Sequence, residues 1–168
     1  MLKNDENHIP TPNFWPDRKG HIPLAIVVHV TEGSFESAKD WTTRPESSAS
    51  YHYIVREDGK IFQFVEEHEA AWSNGLVVDS KWPGIIPRVN PNLYTLSVAY
   101  SGTAARGPTL QQFLAMSSLI AQLSVTWEIP LDDLHVIPHN QIRTDKSCPG
   151  PHCEVSALRY FAGLSAAN

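Results

Sequence analysis

Two stretches carry residue types that can grip a metal ion. An apolar run through Leu134, Val136 and Ile137 delivers His139 at its end. A polar loop then brings back Lys146 and Cys148, and Pro149-Gly150-Pro151 stops any helix from forming there. Imidazole and thiolate are preferred zinc ligands, and a lysine beside them is a ready cation. Two ligands do not make a site, and the best third donor is His29, near the end of the apolar run Leu24-Ala25-Ile26-Val27-Val28-His29-Val30-Thr31. Three protein ligands from two strand ends and a loop leave a fourth position for water, which is the pattern of a catalytic zinc rather than a structural one. Cys153 and His152 lie near enough in sequence to compete. A Cys148–Cys153 disulfide would close only a tiny loop, so metal or thiol chemistry is the better reading of the pair. The adjacent lysine and helix-breaking prolines favour an exposed, deprotonated thiolate at Cys148.

The elements that must position these groups follow from local patterning. Residues 1–23, with Pro10, Pro12, Pro16 and Pro23 and few apolar anchors besides Phe14 and Trp15, read as an irregular arm ahead of one domain over 24–168. Residues 24–30 read as a buried strand. Gly33-Ser34 caps a helix carrying Phe35, Ala38 and Trp41 on one face and ending near Arg44-Pro45. Residues 51–55 and 60–65 flank Glu57-Asp58-Gly59, a hairpin signal. A long unpatterned connection with Trp72 and Trp82 reads as a functional loop. Residues 95–100 form a strand with Leu96, Val98 and Tyr100 on one side. Pro108-Thr109-Leu110-Gln111-Gln112 opens a capped helix with the stripe Leu110, Phe113, Leu114, Leu119, Ile120 and Leu123, ending before Pro130. Val155, Leu158, Phe161 and Ala162 mark a short terminal helix. Strands interleaved with helices give a single α/β domain, and the hairpin makes its central sheet mixed.

Composition narrows the partners. At 168 residues the chain can bury a real core as one domain. A net charge of -5 leaves no basic footprint for nucleic acid, and no apolar stretch approaches a membrane span. The polar, acidic start Met1-Leu2-Lys3-Asn4-Asp5-Glu6-Asn7 is not a signal peptide of the usual kind, so synthesis in the cytoplasm is expected, as is a monomer.

With these residues in view, the chain resembles the zinc-dependent N-acetylmuramoyl-L-alanine amidases, the type shared by small phage lysozymes and peptidoglycan recognition proteins. The matching pieces are Val28-His29-Val30-Thr31, Tyr51-His52-Tyr53-Ile54-Val55, Glu57 through Gln63, Ala71-Trp72, Leu96-Ser97-Val98-Ala99, and Pro138-His139 through Lys146-Ser147-Cys148-Pro149. They run in the family's order over residues 24–163. The resemblance implies a mixed sheet flanked by helices, with one catalytic zinc at the edge of a substrate groove. It makes His29, His139 and Cys148 the ligands, and Tyr51 and Lys146 the catalytic helpers. It places Cys148 rather than Cys153 as third ligand. It further implies cleavage between N-acetylmuramic acid and L-alanine in peptidoglycan or its muropeptides, either in recycling within the cytoplasm or at the wall after lysis or non-classical release.

Thr31, on the face of His29, and Trp72 are candidate substrate contacts, while Trp82 is as readily core as groove. His52 faces away from Tyr51 by strand alternation and is structural; His8, His21, His68 and His135 receive no role. Two positions depart from relatives: Ser73 where many have histidine, and Ser101 where some have glutamate. Two rival functions remain open. A non-catalytic peptidoglycan-binding module of the same fold typically lacks the cysteine present here as Cys148. A cysteine hydrolase would use Cys148 with His139.

Overall fold

The computed structural model describes residues 5–166. Most of the polar N-terminal stretch, Met1–Asn4, lies outside the described residues. In chain order the elements are β1 (Phe14–Trp15), β2 (Ala25–Val30), α1 (Phe35–Thr42), β3 (Tyr53–Val55), β4 (Ile61–Gln63), β5 (Ala70–Ala71), β6 (Thr95–Tyr100), α2 (Leu110–Trp127), β7 (Val136–Pro138) and α3 (Val155–Ala166). The main sheet has the order β4-β3-β6-β2-β7, with only β4 antiparallel to its neighbour. Both β2 and β6 are buried along their whole length, as parallel strands covered on two faces must be.

Alternation along β2 sorts the layers. Ile26, Val28 and Val30 pack with Leu96, Val98 and Tyr100 of β6 against Met116, Leu119, Ile120 and Leu123 of α2 and Leu158 of α3. Ala25 and Val27 point the other way, toward Trp82, Tyr94, Ile137 and Ile142. The helix caps follow the sequence: Ser34 Oγ accepts from Ser37 N at the start of α1, and Thr109 and Gln112 form a reciprocal capping box on α2. The hairpin turns at Gly59, whose φ of +85° suits glycine.

Several expectations are corrected. Trp41 is 54% exposed, because α1 turns Thr42 inward instead, where Thr11 Oγ1 and Asn13 Nδ2 both donate to its carbonyl. Leu110 and Leu114 of the proposed α2 stripe are exposed, and Met116 and Ala121 take the buried places. Phe161 is also largely exposed, resting edge-on against Phe113. The strand expected over 51–55 begins only at Tyr53, since His52 N donates to the side-chain Oγ of Ser97 rather than to a backbone carbonyl of β6.

The N-terminal arm includes β1, which pairs with β5 (Phe14↔Ala71, Trp15↔Ala70). It also inserts the buried Arg18, which donates to the carbonyls of Glu67, Asn92, Leu93 and Thr95. Among the described residues, no helix is long and apolar enough to cross a membrane.

Candidate metal centre

The parallel pairing of β2 with β7 sets Val28 opposite Pro138, so the next residues, His29 and His139, emerge side by side at the same sheet end. Their ring centroids lie 4.5 Å apart. Cys148 arrives from the loop beyond β7. That loop is pinned by Val30 N donating to Sγ (3.3 Å), Asn140 N to the Cys148 carbonyl (2.9 Å) and Tyr100 Oη to the Pro149 carbonyl (2.7 Å). One donor atom from each of His29, His139 and Cys148 lies within 4.8 Å of the others, and among the described residues they form the one such group.

The donor set fits a zinc ion. His29 Nδ1 stands 3.8 Å from Cys148 Sγ, close to the roughly 3.6 Å edge expected between nitrogen and sulfur on a tetrahedral zinc. His29 Nε2 is buried with no hydrogen-bond partner among the described residues. An imidazole so placed, with no good hydrogen bond at either nitrogen, costs on the order of 1–3 kcal/mol in an ordinary core. Coordination at Nδ1 relieves the part of that cost carried by the nitrogen facing Cys148. His139 Nε2 lies 3.1 Å from the Asn74 carbonyl oxygen. A carbonyl can only accept, so Nε2 carries the proton and Nδ1 keeps its lone pair, the usual arrangement behind a metal-bound histidine.

Burial holds both imidazoles below their ordinary pKa, for His29 with further lowering by His139 and His52. Each therefore stays neutral with a lone pair free. Burial also pushes the Cys148 thiol up to about 12, outweighing the lowering by the Val30 N–H and by Lys146. The expected exposed thiolate is thus corrected: Cys148 is half-buried, and burial holds its sulfur as the thiol at neutral pH.

Tyr51 stands edge-on to His29, with ring centroids 5.3 Å apart. Burial, then the neighbouring Cys148 and Glu32, keep its phenol above its usual pKa, so it is a hydrogen-bond donor at neutral pH. Lys146 is exposed on the loop two residues before Cys148, near enough that its charge lowers the pKa of both His139 and Cys148. Thr31 Oγ1 donates to the Gly33 carbonyl (3.0 Å). With Tyr51, Ser37, Asp40, Trp41 and Arg44, Thr31 lines a groove of about 460 Å³.

Trp72 packs edge-on against Trp15, centroids 5.9 Å apart. Trp82 is core: it is 5% exposed, stacks on Tyr94 and donates Nε1–H to the Leu134 carbonyl. His52 is buried against Ser97 and Arg18. Cys153 sits in the core with its thiol raised by burial to about 12, and His152 is exposed. Neither joins the cluster. Sequence reasoning missed Asn74, whose contribution is a backbone carbonyl, and the Asp40-Trp41-Arg44 wall of the groove. The only signal for Asn74 was its place in the long unpatterned connection.

A mixed sheet carrying two histidines on adjacent strands, with a cysteine pinned across from them, defines an α/β domain with a three-donor cluster that could hold a metal ion. The profile of the N-acetylmuramoyl-L-alanine amidase family matches residues 19–151, and the chain belongs to that family. N-acetylmuramoyl-L-alanine amidase A of Achromobacter lyticus is 32% identical over 82 residues, 48% of this chain and 38% of that protein, so the chain spans well under half the length of this relative. The fold is similar to that of a selenomethionine derivative of AmpD, with TM-score 0.77 and 20% identity over 92% of this chain and 93% of the other. It is also similar to that of AmiD from E. coli, solved with anhydro-N-acetylmuramic acid-L-Ala-D-gamma-Glu-L-Lys. There the TM-score is 0.69 and the identity 22%, over 83% of this chain and 57% of the other.

Proposed function

We propose that this chain hydrolyses the amide joining the lactyl group of N-acetylmuramic acid to L-alanine in peptidoglycan or its fragments, using one zinc held by His29, His139 and Cys148. The observation that carries this reading is the convergence within 4.8 Å of three donors, His29 being more than a hundred residues of chain from His139 and Cys148. Family membership supports the bond that is cut. The muramoyl peptide bound to AmiD supports the substrate class.

When bound, zinc supplies a water acidified toward ~7 and a Lewis acid for the carbonyl oxygen. The neutral imidazoles, one with its proton committed to Asn74, hold their lone pairs toward the centre. The Lys146 ammonium stabilises the negative charge that develops on the carbonyl oxygen. Tyr51, kept protonated, donates a hydrogen bond to the departing amide nitrogen. The groove beside Tyr51, reached by Thr31, takes the flanking part of the muramoyl peptide, and Trp72 completes the substrate contacts. The raised Cys148 thiol argues against the cysteine hydrolase, whose nucleophile needs a lowered pKa.

The enzyme acts as a monomer made in the cytoplasm, working there or released to the wall. Mass spectrometry after digestion of purified peptidoglycan and of soluble anhydromuropeptides tests the reading. Free stem peptides beginning at L-alanine are expected, lost with a chelator and restored by zinc. Reducing sugar ends without free peptides overturn it. Activity on intact sacculi marks a lysin, and activity confined to soluble fragments marks a recycling enzyme.

A further inference from the structure

The carbonyl that orients His139 belongs to Asn74, which lies in a segment without helix or strand. Such a segment holds a carbonyl in one place only if something else fixes its backbone. Here Asn92 does so. Its Oδ1 accepts the backbone N–H of Asn74 at 2.9 Å and that of Ser73 at 3.3 Å. A second tether runs from Asn74 Nδ2 to Thr95 Oγ1 (2.9 Å), whose own hydroxyl donates to the Pro91 carbonyl (2.9 Å).

Asn92 is itself immobilised. Its N–H donates to Asn90 Oδ1, and its carbonyl accepts from the buried Arg18 guanidinium. Asn74, Asn92 and Thr95 are 0%, 4% and 1% exposed, so water cannot replace these bonds at the protein surface. Burying two amide N–H groups on one side-chain oxygen stiffens a loop that no strand ladder supports.

We propose that Asn92 is a positioning residue for the metal centre: its side-chain oxygen fixes the Asn74 peptide, whose carbonyl sets the proton position and ring orientation of His139. The inference rests on the zinc reading above. Partners behind a ligating histidine typically govern metal affinity by ~10–100-fold, and that is the effect expected here.

Zinc affinity measured by competition with a chromophoric chelator tests it, with each protein checked for folding by circular dichroism. The parent binds zinc, and Asn92→Ala binds it ~10–100-fold more weakly. Asn92→Asp keeps the accepting oxygen and restores most of the affinity. Thr95→Val, nearly the same shape, removes only the second tether and weakens binding by less than Asn92→Ala. If Asn92→Ala does not fold, Asn92→Leu, which fills the same space but accepts no hydrogen bond, takes its place. Parental affinity in folded Asn92→Ala, or in Asn92→Leu when it stands in for it, overturns the proposal and leaves the zinc reading intact. Equal loss in Asn92→Asp and Asn92→Ala overturns the role of the accepting oxygen. A parent that binds no zinc overturns the zinc reading and this inference with it.

Discussion

The backbone N–H of Val30 donates to Sγ of Cys148 across 3.3 Å, joining residues 118 apart in sequence. Val30 ends β2 one residue after His29, so the strand that presents an imidazole also presents the donor that steadies the sulfur. The loop carrying Cys148 is therefore registered to the sheet by the sulfur itself. A thiolate accepts such a bond more strongly than a thiol, so ion binding and loop order reinforce each other.

Cys148→Ser removes the soft ligand while keeping the size of the side chain. A serine hydroxyl does not ionise near neutrality, so zinc affinity and amidase activity are expected to fall together, by ~100-fold or more, with zinc content of the purified protein as the check. Parental zinc content in the serine variant removes Cys148 from the centre.

Lys146→Ala leaves the donor triad untouched, because Lys146 is exposed and only its charge reaches the centre. Zinc content should stay parental while kcat drops by ~10²–10³-fold, the usual loss on removing one stabiliser of a developing oxyanion. Tyr51→Phe keeps the edge-on ring against His29 and removes only the hydroxyl. It should lower kcat by ~10²-fold or more with little change in metal binding. Parental turnover in either variant removes that residue from the chemistry.

The parts of this molecule that could be read from sequence are those fixed by local pattern. Apolar, β-branched runs announced β2 and β7, and with them the strand-end positions of His29 and His139. Asp58-Gly59 announced the hairpin, and Thr109 with Gln112 announced the start of α2. The buried face of α2 was readable at Phe113, Leu119, Ile120 and Leu123 but not in its first turns, where Leu110 and Leu114 face solvent, because its 18 residues include no charged side chain to mark the solvent side. The state of Cys148 was missed because desolvation depends on what packs around the sulfur, and Lys146 is the only part of that environment adjacent in sequence. Arg18 and Asn92 were invisible for a similar reason. Their partners are mostly backbone carbonyls and N–H groups, which every residue has.

Acid should destabilise the protein through its buried histidines. His52 is 1% exposed, and burial, with Arg18 alongside, pulls its pKa down to about 3; His29 and His139 are lowered as well. An unfolded histidine titrates near ~6.5, so below that pH the unfolded chain binds protons the folded chain refuses. Stability is full above pH ~6.5 and declines as pH falls, by up to ~1.4 kcal/mol per pH unit for His52, with His29 and His139 adding in the same direction. Urea denaturation of the metal-free protein between pH 7 and 5 should show this slope, and His52→Gln should flatten it by about one histidine's share. An unchanged slope in that variant shows that His52 contributes nothing to it.

Gly150 offers a way to shift the cysteine loop without touching a ligand. Its φ is +99°, and an added Cβ would lie 2.5 Å from the Ala104 carbonyl oxygen and 2.6 Å from Ala104 Cα, both backbone atoms that no rotamer change can move. Gly20 has a similar φ of +83° with nothing within 4 Å of its would-be Cβ. Gly20→Ala therefore carries conformational strain alone, of order ~1 kcal/mol, and should bind zinc as the parent does. Gly150→Ala carries the same strain plus a collision two residues from Cys148. It should unfold at lower urea by a larger margin and lose at least ~10-fold in zinc affinity, since ligands misplaced by tenths of an ångström no longer converge. Equal zinc affinity in the two alanine variants means that the Cys148 loop adapts to the collision without moving the sulfur.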